Sequence, residues 1–106
     1  MEHVDRALFD IAEAAEMITV FVQGMSREDF LRDLKTQSAV LHQLTILCEA
    51  TQQLTQPYRA LPWSCIVRLK DPGCRYRDVN PQRVWRAATR EVPDVLTWVA
   101  PLLPAV

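Results

Sequence analysis

The sequence predicts an all-α bundle of four to five antiparallel helices in a single domain covering residues 1–106. Three observations carry this. Apolar residues recur at spacings of three and four over long stretches, which is one face of a helix. No stretch sustains the apolar–polar alternation of a half-buried strand. Only two glycines interrupt the chain, and hydrophobic residues make up 49% of it, enough for a core.

The first helix carries the stripe Val4, Leu8, Ile11, Ala15, Ile18 and Val22, widened on one flank by Ala7, Ala14 and Phe21. A stripe that wide packs against more than one neighbour. Gly24 is the expected stop, because glycine enters the left-handed region without strain. Ser26 caps a short second helix over roughly residues 27–34, with Asp29 three residues on as a near-capping-box partner. The third helix is expected from about Lys35 to Leu54, with Val40, Leu44, Leu47, Thr51 and Leu54 as its core stripe.

Gln56-Pro57 ends that helix, since the residue before proline avoids the α region. Pro62 suits the first turn of a fourth helix, which must stop near Asp71 because Pro72-Gly73 follows. Breaks are thus expected near residues 24–26, 55–61 and 72–80. Asn80-Pro81 opens a fifth helix with the stripe Trp85, Ala88, Val92, Val95, Val99 and Leu102. Pro93 is expected to kink or divide it, and Pro101 and Pro104 to fray its end.

Charge is unevenly spread. The net is −1 overall, but residues 68–90 hold seven Lys/Arg against two Asp/Glu. Six of the seven are Arg, whose planar fork suits phosphate. Such a patch fits a nucleic-acid or nucleotide partner, and the competing explanation is a solvated helix face. No apolar run approaches the ~20 residues of a membrane span. The acidic opening Met-Glu-His-Val-Asp does not look like a signal peptide, so a cytoplasmic location is expected. Cys48, Cys65 and Cys74 show no metal-like spacing and are expected as reduced thiols. No metal or cofactor site is expected. His3, near the chain end, and His42, beside the third-helix stripe, show no obvious catalytic setting.

Two segments resemble one family in detail. The first is Phe30-x-x-Asp33-x-x-Thr36-Gln37-x-Ala39-Val40, continuing through Leu44, Leu47-Cys48-Glu49-Ala50 and Leu54. The second is Leu61-Pro62-Trp63, then Arg68-x5-Cys74-x-Tyr76-x-x-Val79-Asn80 and Val84-Trp85. With Gly24-Met25-Ser26 these resemble the HepT-like proteins of the HEPN superfamily, toxins of type VII HepT–MntA toxin–antitoxin modules. The resemblance implies a HEPN-type bundle, a two-fold homodimer with paired motifs lining one cleft, and metal-independent cleavage of RNA. It also implies a partner, an MntA-like nucleotidyltransferase antitoxin that adenylylates the motif tyrosine.

The family signature is Arg, four to six residues, His, any residue, Tyr. Arg68 and Tyr76 match it, and Cys74 occupies the histidine slot. The implied catalytic residues are therefore Arg68 and Cys74, with Tyr76 as the modification site. Lys70, Arg75 and Arg77 are the expected RNA- or phosphate-binding residues. A thiol, with a reference pKa of about 8.5, is a weak proton shuttle at neutral pH, so weak or absent ribonuclease activity is expected. Leu69 after the Arg and Arg75 in place of the usual Gly depart in the same direction, and Pro72 interrupts the motif helix. The alternative is a non-catalytic helical module that binds nucleotide, RNA or a nucleotidyltransferase.

Overall fold

The computed structural model describes residues 2–51, 53–54 and 80–103. These form α1 (Glu2–Val22), α2 (Arg27–Leu31), α3 (Leu34–Thr51), and a long C-terminal helix in four parts. Its parts are α4 (Pro81–Arg86), a π-helical segment (Ala87–Glu91), α5 (Val92–Val99) and a closing 3₁₀ turn (Ala100–Leu102). No strand occurs among the described residues, and the fold is an all-α helical one. The fourth helix expected from Pro62 to Asp71, and the expected breaks at 55–61 and 72–79, lie outside the described residues.

The core forms where the stripes converge. Leu8, Ile11, Ala15, Ile18 and Val22 of α1 are buried together with Val40, Leu44, Leu47 and Thr51 of α3. Val4, first of the α1 stripe, lies outside the described side chains. Helix α1 packs mainly on α3 and also on α5, which contributes Val92, Val95 and Val99. The width of the α1 stripe is explained by these two neighbours.

Helix boundaries follow local chemistry. Gly24 has φ 78, the left-handed conformation that ends α1. Ser26 Oγ accepts from the Asp29 N–H at 3.1 Å, and Asp29 Oδ2 accepts from the Ser26 N–H at 3.1 Å. The capping box is complete. The boundary between α2 and α3 falls earlier than the sequence suggests. Helix α2 ends at Leu31, and α3 begins at Leu34 because Asp33 caps it. Helix α3 ends at Thr51, with Leu54 buried in the turn after it.

Pro93 divides the C-terminal helix by way of the turn before it. Proline cannot donate to the Thr89 carbonyl, and its ring would strike that carbonyl in a regular α-helix. The chain widens instead: the Val92 N–H bonds to the Ala87 carbonyl, five residues back.

Candidate functional site

The corner between α2 and α3 accounts for the first family-like segment. Phe30 is fully buried and anchors α2. Asp33 Oδ1 accepts from the Thr36 N–H at 3.0 Å, and Asp33 Oδ2 from the Thr36 hydroxyl at 2.7 Å. These bonds, the backbone one first, hold the Asp33 carboxyl below its ordinary pKa. Gln37 Nε2 donates to the Phe30 carbonyl at 2.8 Å, a second donor there beside the Asp33 N–H at 3.1 Å. Phe30, Asp33, Thr36 and Gln37 are therefore the fasteners of a helix–helix corner.

That corner sets α2 against α4. The Phe30 and Trp85 rings lie 5.3 Å apart at 41°. Beside them, Arg27, Asn80, Gln82, Arg83, Trp85 and Arg86 line an open cleft of about 370 Å³. Asn80 Oδ1 accepts from the Gln82 N–H at 2.9 Å, which caps α4 at the cleft edge. No carboxylate appears among the described lining residues.

Arg83 is held from outside the cleft lining. Its Nη2 donates to Glu91 Oε1 at 3.1 Å and Oε2 at 3.2 Å. Its Nη1 is buried with no hydrogen-bond partner among the described residues. A buried donor left unmatched costs about 1–3 kcal/mol, and an anionic oxygen is the group that would satisfy it.

The signature residues predicted from sequence, Arg68, Lys70, Cys74, Arg75, Tyr76 and Arg77, all lie outside the described residues. So do Cys65 and His3. Of the basic segment, Arg86 and Arg90 are exposed, whereas Arg83 is ion-paired to Glu91, one residue past the charged window. His42 is exposed on α3, and Cys48 is buried in the core. No cluster of three or more His, Cys, Asp or Glu able to hold a metal occurs among the described residues. No described helix is long and apolar enough to cross a membrane.

Residues 11–101 match the family Ribonuclease HepT-like. This chain belongs to that family. A protein of Thermococcus cleftensis named "Probable ribonuclease HepT" is 34% identical over 93 residues, 83% of this chain and 84% of its own length. A "Putative RNase" of Methanocaldococcus jannaschii is 33% identical over 92 residues, 82% of this chain and 76% of its own. Another "Putative RNase", from Caldanaerobacter subterraneus, is 29% identical over 98 residues and covers 88% of each chain. No solved structure matches the chain significantly.

Within this HepT-like bundle, sequence reasoning missed three contributors to the cleft, Arg27, Gln82 and Trp85. Arg27 opens α2, in a region whose net charge is negative, and nothing in its neighbourhood marks it. Trp85 reads as a core-stripe residue, yet it is only half-buried and lines the cleft. Its place directly before Arg86, in an arginine-rich helix, was the one available signal.

Proposed function

We propose that this chain is the HepT-like subunit of a type VII toxin–antitoxin pair, acting on RNA without metal and with its own cleavage weakened by Cys74. The supporting observation is membership of the ribonuclease HepT-like family over residues 11–101, taken with the order Arg68, Cys74, Tyr76 inside that span. Cleaving RNA through its own 2′-OH needs proton transfer and a cation beside the phosphate. Arg68 supplies the cation, stabilising charge on the phosphoryl oxygens. Histidine, near its pKa of about 6.5, suits the proton work, and the Cys74 thiol suits it poorly.

The proposed assembly is a homodimer in the cytoplasm, with two motifs facing one cleft. Its partner is an MntA-like nucleotidyltransferase that adenylylates Tyr76. Flanking Arg75 and Arg77 would pair with the added phosphate. Light scattering of a lone 12.2 kDa species at micromolar concentration would remove the dimer. Peptide mapping after co-expression with the nucleotidyltransferase tests the modification: AMP on Tyr58 would remove Tyr76 from the scheme.

The decisive experiment is RNA cleavage by the purified chain. Weak or absent cleavage is expected, raised by Cys74→His and abolished by Arg68→Ala. Strong cleavage indifferent to Arg68→Ala would overturn the assignment. A second reading, binding without cleavage, is favoured by the donor-rich cleft at α2 and α4. It predicts RNA binding that Cys74→His leaves uncleaved.

A further inference from the structure

We infer that the cleft between α2 and α4 is a nucleotide-holding subsite for single-stranded RNA, separate from the Arg68–Tyr76 signature. In it Trp85 stacks one unpaired base, and Arg27 and Arg86 grip the flanking phosphates. The RNA assignment rests on the ribonuclease reading above; the site itself rests on the following geometry.

The lining is chemically one-sided. Of its six described lining residues three are arginines, Arg27, Arg83 and Arg86, and two are amides, Asn80 and Gln82, and none carries a carboxylate. Glu91 offsets the charge of Arg83 alone, because its carboxylate is held by Arg83 Nη2. The exposed Arg27 and Arg86 have no ion pair among the described residues.

The aromatic component separates a nucleotide from a simple anion. Trp85 is braced by Phe30, which is fully buried, so its ring is held by the core. It nevertheless contributes to the open cleft wall. A braced indole among arginines is the arrangement on which bases stack while the backbone is neutralised. The openness and the volume of about 370 Å³ suit a nucleotide within a strand that enters and leaves.

The test is fluorescence anisotropy of a short labelled oligouridylate on the full chain across a salt series. Trp85→Ala is expected to weaken binding about tenfold, and Trp85→Phe to retain most of it. Arg27→Ala and Arg86→Ala are each expected to weaken binding and to reduce the slope of log K against log salt by about 0.7. Arg6→Ala, on the exposed surface of α1 and outside the cleft, serves as the control.

Unchanged affinity in Arg27→Ala and Arg86→Ala, or in Trp85→Ala, each folded by circular dichroism, overturns the phosphate grip or the base stacking, and with it the inference. Equal losses in Arg6→Ala would overturn it too, by showing diffuse attraction. Uridine monophosphate binding as tightly as the oligomer would reassign the cleft to free nucleotides and overturn the RNA assignment. Cleft binding of an oligomer that stays intact, even with Cys74→His, overturns the ribonuclease reading and leaves this subsite standing.

Discussion

Asp33 shows how a family-like residue can serve architecture. Its carboxylate caps α3 through two bonds to Thr36, and those bonds favour the ionised form. The folded pKa therefore lies below the unfolded value of about 3.9. Its stabilisation is fully present above the unfolded pKa and is lost as pH falls through the folded one. Asp33→Ala is expected to lower the thermal midpoint at neutral pH, with the deficit shrinking in acid. Asp33→Asn keeps an acceptor for the Thr36 N–H, so a smaller loss is expected, with that pH dependence removed. Thermal melts of the three proteins from pH 7 down to pH 2 check both. Ser26→Ala breaks the capping box of α2 and is expected to cost about 1 kcal/mol in chemical denaturation.

At the scale of the element, the π segment decides which side chains of the C-terminal helix meet. In a regular α-helix, Arg83 and Glu91 would stand about 80° apart in azimuth. A π turn absorbs one extra residue, so the eight steps between them turn as about seven would, and the two come within about 20°. The Arg83–Glu91 pair is thus a product of the widened turn that Pro93 imposes. Its side chains are 30% and 23% exposed, which limits its worth. A double-mutant cycle of Arg83→Ala and Glu91→Ala is expected to give a coupling of about 0.5–1 kcal/mol, falling with salt. A coupling near zero would mean the two groups are not held together in solution.

Across the whole molecule, stability and site share a support. Phe30 fills the core from α2 and braces Trp85 on α4. Phe30→Ala is expected to cost about 3–5 kcal/mol, a large part of the ~5–15 kcal/mol of a small domain. It is also expected to loosen the cleft, so binding and stability fall together in denaturation and anisotropy. Cys74→His is expected to do the opposite: raise RNA cleavage while leaving the melting of the bundle core unchanged. Cleavage that stays absent in this variant would shift the chain toward the binding-only reading.

Among the described residues, the helices and most of their starts were legible in the sequence because they are set by neighbours in the chain. Stripes of period three and four, Gly24, Ser26 with Asp29, and Asn80-Pro81 each act over one or two turns. The short α2 and the cap at Asp33 were placed less well, since Asp33 sits between two helices and its sequence fits either. The family was also legible, through the resemblance of two segments, whereas the signature Arg68, Cys74 and Tyr76 that this resemblance implies lies outside the described residues. The cleft was not legible. Arg27 and Trp85 are 58 positions apart, and only the packing of α2 on α4 brings them together. The pairing of Arg83 with Glu91 depends on one extra residue in one turn. Among the described residues, the sequence by itself determined which segments are helical and most of their starts, because hydrogen-bond capping and apolar periodicity are local. Tertiary structure alone decided that Arg27 shares a cleft with Arg83 and Arg86, because the packing of α2 on α4 acts through space and the chain order does not encode that distance.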